Sequence, residues 1–236
     1  MQRATTFVLV HGAWHGGWCF GRVAERLSLR GARVFTPTLT GLADRSHLYR
    51  PQINLTTHVL DVANLIRWHD LHDIVLAGHS YGGMVITAVA DQLPDRIAAL
   101  VYLDAFLPQD SQCVHDLAPP EVVRAQLQSA TADNHYAVPP IPAALFNVNP
   151  ADREWVDRLC TPQPLATFTE RIKLTGRADT VPRKTYVLAG DLPGSGFGRV
   201  RDALAARADW RTHELRCGHD VMIDMPDETA EIVAGP

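Results

Sequence analysis

Residues 74–84 read Ile-Val-Leu-Ala-Gly-His-Ser-Tyr-Gly-Gly-Met, and they decide the fold of this 236-residue chain. The apolar run 74–77 leads directly into the pattern G-x-S-x-G, and a helical pattern begins at once after it. In this strand–turn–helix setting the pattern predicts a nucleophile elbow, a sharp turn that exposes a serine at the carboxyl end of a strand. Gly78 and Gly82 suit the turn because a side chain at either position would crowd so tight a bend. Ser80 is therefore the candidate nucleophile.

Apolar runs typical of strands recur on both sides of this stretch, and helical patterns separate them. The predicted strands are Thr6–Val10, Arg33–Thr36, Ile74–Ala77, Ala98–Leu103, Thr185–Ala189 and His213–Leu215. The helical patterns cover residues 18–30, 55–69, 81–93, 204–207 and 227–233. Most of the strands are continuously apolar, as expected of strands that are covered on both faces. The alternation predicts an α/β fold with a mostly parallel, doubly wound sheet.

Residues 108–181 interrupt this alternation. The stretch is rich in proline and contains two helix candidates, Glu121–Ala130 and Ala151–Leu159. A long insertion after a core strand is often a lid over a functional site. We therefore predict a core made of residues 1–107 and 182–236, with residues 108–181 as a small helical cap.

Composition narrows the classes of partner. There are 22 Lys and Arg against 26 Asp and Glu, a net charge of -4, so the chain has no basic surplus for a phosphate backbone and nucleic acid is not expected. The longest early apolar run, Phe7–Val10, is too short for a signal-peptide core or a membrane span. The four cysteines lie far apart without a C-x-x-C pair, which favours a reducing cytoplasm over disulfides or a structural zinc site.

A serine nucleophile needs a general base, and in folds with this elbow the chain order is serine, acid, histidine. His219 follows a glycine just after the last predicted strand, so it is the candidate base. Two aspartates are candidates for the acid. Asp191 follows a predicted strand at the position where such folds most often carry their acid. Asp104 ends an apolar strand, where a carboxylate is costly without a partner.

Acyl transfer also needs an oxyanion hole, usually two N–H groups directed at the developing negative charge. The residue after the nucleophile, Tyr81, supplies one of them. The glycine-rich loop 11–18, after the first strand, supplies the second, and we assign it to Ala13. This loop matches neither a dinucleotide-binding fingerprint nor a phosphate-binding P-loop. The residues expected to line the substrate pocket are Gly12, Trp14, His15 and Phe106.

With these stretches, the chain resembles the α/β-hydrolase superfamily. Within it, the chain is similar to the plant methyl esterase and hydroxynitrile lyase family and its small bacterial esterase relatives. The matching stretches are residues 7–16, 38–42, 78–84 and 218–220, and together they span nearly the whole chain. The resemblance implies a sheet of about eight strands with a small helical cap. It also implies ester hydrolysis through a catalytic triad that includes Ser80 and His219, with no cofactor and no metal.

The chain departs from this family at several positions. Hydroxynitrile lyases carry threonine or asparagine where this chain has Gly12, and those with threonine carry lysine where it has Asp220. Both differences favour an esterase over cyanohydrin cleavage. Methyl esterases place their acid in the loop that holds Asp191, but the spacing is one residue short here. Haloalkane dehalogenases, more distant relatives, carry an acid in a setting similar to Tyr102-Leu103-Asp104-Ala105, so we favour Asp104 and keep Asp191 as the alternative.

The sequence thus predicts a serine carboxylesterase that cleaves small to medium apolar or aromatic esters through an acyl-enzyme. The partner is a small-molecule ester, without nucleic acid or membrane, and a homodimer is compatible with the sequence. The alternatives are a lyase or C–C hydrolase on the same scaffold, or a ligand-binding receptor-like hydrolase. Product analysis separates these chemistries because only ester hydrolysis yields an acid and an alcohol. Slow turnover with ligand-dependent partner binding would indicate a receptor.

Overall fold

A computed structural model describes residues 5–132, 135–192, 194 and 196–236. The strands are β1 (Thr6–Val10), β2 (Arg33–Phe35), β3 (Ile74–His79), β4 (Ile97–Leu103), β5 (Ala137–Val138), β6 (Gln163–Pro164), β7 (Arg183–Ala189) and β8 (Arg211–Leu215). The α-helices are α1 (Gly21–Leu29), α2 (Leu55–Trp68), α3 (Gly82–Gln92), α4 (Val114–Leu117), α5 (Pro120–Thr131), α6 (Arg153–Leu159), α7 (Ala166–Thr169), α8 (Phe197–Ala205), α9 (Val221–Asp224) and α10 (Pro226–Ala234). Short 3-10 helices cover Gly17–Phe20, Ala43–Leu48, Pro94–Arg96, Ala143–Phe146 and Arg177–Thr180.

The main sheet has the strand order β2-β1-β3-β4-β7-β8, and each neighbouring pair is parallel. The predicted α/β fold with a mostly parallel sheet is therefore confirmed. The described residues put six strands in this sheet, not about eight, and these six are the ones that the apolar runs predicted. The remaining two, β5 and β6, form a separate antiparallel pair. Each has only two residues and lacks the long apolar run of a strand covered on both faces.

The sheet is doubly wound because its two faces bury two apolar layers. Along β1, Val8 and Val10 belong to one layer, whereas Phe7 and Leu9 belong to the other. Residues of α2 and α3 pack in the first layer, and residues of α1 and α10 pack in the second. Successive side chains of a strand point to opposite faces of the sheet, so a strand that is covered on both faces contributes alternately to the two layers.

Two helices differ from their predicted ranges. The helix predicted at residues 204–207 is the end of α8, which already begins at Phe197; a glycine and several charged residues interrupt the apolar period of its first turns. The helix predicted at residues 18–30 is divided into the 3-10 turn at Gly17–Phe20 and α1. Gly31 follows α1 with a φ of 80°, the left-handed conformation expected of a glycine that ends a helix.

The stretch between β4 and β7 contains α4 to α7 and the small β5–β6 sheet. Both helices predicted there are present, as α5 and α6. The division of the chain into a core and a cap stays a prediction. Among the residues that the structure describes, no helix is long and apolar enough to cross a membrane.

Helix α2 begins with a capping box. The Asn54 side chain accepts a hydrogen bond from the Thr57 N–H at 3.0 Å, and the Thr57 hydroxyl accepts one from the Asn54 N–H at 3.4 Å. These bonds satisfy N–H groups that the first helical turn leaves without intrahelical partners. The cap therefore fixes the start of a helix whose buried face includes His58 and Val59.

Replacing the cap should measurably destabilise the chain. We expect Asn54→Ala to lower the free energy of unfolding in urea by about 1 kcal/mol, because an N-terminal helix group loses its acceptor. Asn64→Ala is the matched control, since Asn64 lies exposed on the same helix. Equal losses for both variants would contradict a specific capping role.

Candidate active site

Ser80 lies at the junction of β3 and α3 in a constrained backbone conformation. Its φ is 51°, a left-handed value that costs energy for a residue with a side chain. Backbone hydrogen bonds maintain this conformation. The Ser80 N–H donates to the Leu103 carbonyl at 3.1 Å, and the Ser80 carbonyl accepts from the N–H groups of Gly83 at 3.0 Å and Phe106 at 3.1 Å. The turn thus has the geometry of a nucleophile elbow.

Glycine is required on both sides of Ser80. A Cβ atom at Gly78 would lie 2.7 Å from the Gly82 carbonyl oxygen, and one at Gly82 would lie 2.6 Å from the Val10 carbonyl oxygen. Both distances are shorter than real contacts allow, and in each case the obstacle is backbone. The crowding that the motif predicted is therefore present at both positions.

The structure brings Asp104 to His219. The Asp104 carboxylate is fully buried at the end of β4, with its Oδ2 2.6 Å from His219 Nδ1. Its other oxygen accepts from the Ala189 N–H at 3.1 Å. Because a carboxylate only accepts, His219 carries its proton on Nδ1 and leaves Nε2 free to act as a base. His219 and Ser80 both line the same cavity.

Asp191, the alternative acid, is placed differently. It is exposed, and its backbone N–H donates to the Cys217 carbonyl at 3.1 Å while its carbonyl accepts from the Asn147 side chain at 3.2 Å. These contacts use the backbone of Asp191 and do not involve His219. The geometry therefore favours Asp104 as the acid.

A buried neutral histidine, His11, orients loop 11–18, which carries the predicted oxyanion donor Ala13. His11 Nε2 accepts from the Leu39 N–H at 3.0 Å, so the ring proton lies on Nδ1, which donates to the Gly12 carbonyl at 2.7 Å. Burial lowers the pKa of His11 to about 3, which keeps this tautomer at neutral pH. Carbonyl and N–H point in opposite directions across a trans peptide, so the Ala13 N–H faces away from His11. Ala13 itself lies at the cavity wall beside Ser80.

A second neutral histidine anchors Tyr81, the other predicted oxyanion donor. His58 Nε2 donates to the Thr40 carbonyl at 2.9 Å, so its Nδ1 accepts the Tyr81 hydroxyl proton at 3.0 Å. Burial lowers the pKa of His58 to about 4, and burial raises the pKa of the Tyr81 hydroxyl well above its ordinary value. The Tyr81 ring is therefore fixed away from the reacting atoms, and its backbone remains next to Ser80.

His15 is a buried imidazolium paired with Asp220. Its Nδ1 lies 2.8 Å from the Ala13 carbonyl and its Nε2 lies 3.1 Å from Asp220 Oδ2, so both nitrogens face acceptors and both carry a proton. Burial alone would lower the pKa of His15, but the Asp220 carboxylate outweighs burial and raises it well above its ordinary value. Burial alone would raise the pKa of Asp220, but His15 and neighbouring histidines hold it well below its usual range.

The same carboxylate connects the elbow to the His219 loop. Asp220 Oδ1 lies 3.6 Å from Nε2 of His79, the residue before Ser80. That nitrogen also donates to the His219 carbonyl at 3.0 Å. Asp220 therefore hydrogen-bonds to loop 11–18 through His15 and lies close to the elbow residue His79, which in turn donates to the backbone of His219. Sequence reasoning used Asp220 only as a difference from the lyases and missed this contact.

Two of the predicted pocket residues do not line the cavity. His15 is turned away to Asp220, and its ring stacks on Trp18 at 5.2 Å. Gly12 packs against the elbow, where an added Cβ would lie 2.8 Å from His79 Nδ1 and 2.9 Å from the Ser80 Cβ. Close packing of the two loops, not substrate approach, therefore requires glycine at this position.

The cavity beside Ser80 has a volume of about 300 Å³ and a mainly apolar wall. Its wall consists of Ala13, Trp14, Ser80, Tyr81, Phe106, Val114, Ala118, Pro119, Val122, Gln126, Ile141, Leu145, Phe146, Phe168, Leu192, Gly194, Phe197 and His219. Trp14 and Phe106 line it as predicted. Sequence reasoning missed Phe197, whose ring is parallel to that of His219 at 5.7 Å, and Gln126. Val122 and Gln126 are four residues apart on a predicted helix and so share one face, a sequence signal that could have pointed to Gln126.

The two aspartates can be distinguished by substitution. We expect Asp104→Asn to lower kcat/KM for an ester by about 10³-fold or more, because the amide cannot hold His219 in its required tautomer. Asp191→Asn is the matched control and should stay close to the wild type. The measurement is steady-state hydrolysis with circular dichroism as the check of folding. A large loss in Asp191→Asn alone would reverse the assignment.

Removing the partner of Asp220 should be costly for stability. We expect His15→Gln to lower the free energy of unfolding by about 3–5 kcal/mol, because it leaves a buried carboxylate without its counter-ion. Arg207→Gln, which breaks the exposed pair of Arg207 and Asp209, should change stability little. Urea titrations of both variants at pH 7 give the comparison, and a similar small loss for both would argue against a buried ion pair.

Comparison with known proteins agrees with this geometry. The alpha/beta hydrolase family matches residues 7–232. A carbendazim hydrolyzing esterase of Nocardioides sp. (strain SG-4G) is 45% identical, over 97% of this chain and 98% of that protein. Methylesterase 2 of Arabidopsis thaliana is 31% identical, over 45% of this chain and 41% of that protein.

Solved structures extend the likeness to the whole fold. The structure of an extracellular alpha/beta-hydrolase from a Paenibacillus species superposes with a TM-score of 0.86 and 26% identity, covering 98% of each chain. The resemblance to methyl esterases and small bacterial esterases is thereby confirmed. This chain belongs to the alpha/beta hydrolase family.

Proposed function

We propose that the chain is a serine carboxylesterase that hydrolyses small to medium apolar or aromatic carboxylic esters. The observation that carries the proposal is the 2.6 Å contact of Asp104 with His219 at the wall of the cavity that Ser80 also lines. The similar proteins named as esterases and methylesterases support the same class of reaction.

In the proposed mechanism, His219 Nε2 removes the hydroxyl proton of Ser80 as its oxygen attacks the ester carbonyl. The N–H groups of Ala13 and Tyr81 stabilise the oxyanion of the tetrahedral intermediate. The intermediate collapses, the C–O bond to the alcohol breaks, and His219 donates the proton to the departing oxygen. Water then repeats the sequence on the acyl-enzyme and releases the acid. Each proton is exchanged within the chain, the substrate and water, so the reaction needs no cofactor and no metal.

The wall of the cavity supports the proposed substrate class. Apolar side chains such as Phe146, Phe168 and Phe197 favour an uncharged ester. The product acid ionises at neutral pH, and a carboxylate is costly to keep against such a wall. The same surface therefore binds the substrate and favours release of the product.

We also propose that residues 108–181 act as a cap. This stretch supplies Val114, Val122, Phe146 and Phe168 to the cavity wall, so it closes the side of the cavity that the sheet edge leaves open. The remaining expectations are a cytoplasmic location, a small-molecule ester as the partner without nucleic acid or membrane, and compatibility with a homodimer.

The decisive experiment compares Ser80→Ala with the wild type on p-nitrophenyl esters of acyl chains from acetate to decanoate. We expect the wild type to cleave short to medium chains. Ser80→Ala should lower kcat by several orders of magnitude, up to about 10⁶-fold, because it removes the nucleophile. Ser28→Ala is the control, since Ser28 is exposed on α1.

An inactive wild type on every chain length would overturn the proposal. Activity that survives in Ser80→Ala would do the same. Product analysis would then be directed at lyase and C–C cleavage substrates.

A further inference from the structure

We propose that Gln126 forms a polar subsite in the cavity, which binds a hydrogen-bond-accepting oxygen or nitrogen of the substrate remote from the ester being cleaved. This inference rests on the proposed esterase function and defines its substrate class more closely. It predicts a preference for esters that carry a second acceptor, such as a ketone, an ether or a ring nitrogen.

Gln126 is a polar side chain in a mostly apolar wall. It lies on α5, and only 8% of its surface is exposed. Val122, one helical turn earlier, lines the same cavity, so this face of α5 borders the cavity. Among the described lining residues, the other polar side chains are those of Ser80 and His219, which the proposed mechanism uses, and those of Trp14 and Tyr81, which already have partners.

The partner of Gln126 determines which of its groups remains free. His115 Nε2 lies 3.1 Å from Gln126 Oε1. Because an amide oxygen only accepts, His115 Nε2 carries the proton and donates it to Gln126 Oε1. Among the described residues, no partner contacts the side-chain amide nitrogen of Gln126. Its N–H donors are thus available to a ligand in the cavity.

A substrate that fills the cavity removes the Gln126 amide from solvent. A hydrocarbon then leaves the donor without a partner, which is costly, whereas an acceptor on the substrate replaces the lost hydrogen bond. Sites that hydrogen-bond one group of a substrate discriminate against analogues that lack this group. The apolar wall selects for uncharged substrates, and Gln126 selects among them for those with an acceptor.

The test uses matched pairs of p-nitrophenyl esters. Each pair consists of an alkanoate and a keto analogue in which one methylene is replaced by a carbonyl. The position of this carbonyl along the acyl chain differs from pair to pair. For the wild type we expect at least one keto position to raise kcat/KM about tenfold over its alkanoate. Gln126→Leu should reduce this ratio to about one. The ratio compares two esters in the same variant, so it does not depend on the overall activity of that variant. Gln128→Leu is the matched control, because Gln128 is exposed on the same helix.

The proposal is overturned if no keto position is favoured, or if the ratio in Gln126→Leu equals that in the wild type. Alkanoate cleavage that depends on Ser80 would in that case leave the esterase function intact. If no ester is cleaved at all, calorimetry can measure how tightly Ser80→Ala binds each ester of a pair, and this comparison still tests the subsite. Tighter binding of a keto ester that Gln126→Leu removes supports the subsite, and equal binding rejects it.

Discussion

The parallel pairing of β3 with β4 is the constraint on which the site depends. Its register places His79 opposite Leu103, so the residues that follow, Ser80 and Asp104, leave the sheet side by side. The Ser80 N–H then continues the ladder by donating to the Leu103 carbonyl. Both residues adopt positive φ values, 51° and 43°, so each strand ends in an abrupt turn at the same edge. The proposed nucleophile and the proposed acid are thus positioned by a fully buried part of the sheet.

The buried histidines around this edge show how hydrogen-bond partners determine protonation. His11 and His58 each face one donor and one acceptor, and both are neutral. His15 faces two acceptors and is charged. His219 has one acceptor, Asp104, and keeps its second nitrogen available. One residue type therefore serves as a hydrogen-bonding anchor, a counter-ion and, in the proposed mechanism, a base, according to the groups around it.

Much of the fold was predictable because it depends on local pattern. Continuous apolar runs identified the six strands of the main sheet, and the glycine spacing around Ser80 identified the elbow. The implied count of about eight strands in one sheet was wrong because it came from the family and not from apolar runs in this chain. Contacts between distant segments were not predictable. Asp104 and Asp191 both follow strands, and only the folded chain shows which of them reaches His219.

The same limit explains the errors at the pocket. Gly12 and His15 lie in the expected loop, but the direction of a side chain from a loop depends on what packs behind it. For His15 that neighbour is Asp220, more than two hundred residues away in the chain. The helical spacing of Gln126 and Val122 indicated a shared face, but only the folded chain shows that this face borders the cavity and that His115 contacts Gln126.

The reacting groups and the cavity wall come from different parts of the chain. Ala13, Ser80, Asp104 and His219 sit on the loops at the edge of the main sheet, whereas much of the wall comes from the helices between β4 and β7. Substitutions in those helices can therefore change which ester fits without disturbing the charges and hydrogen bonds that cleave it. A scaffold divided in this way lets the shape of the cavity change while the geometry at the sheet edge stays the same.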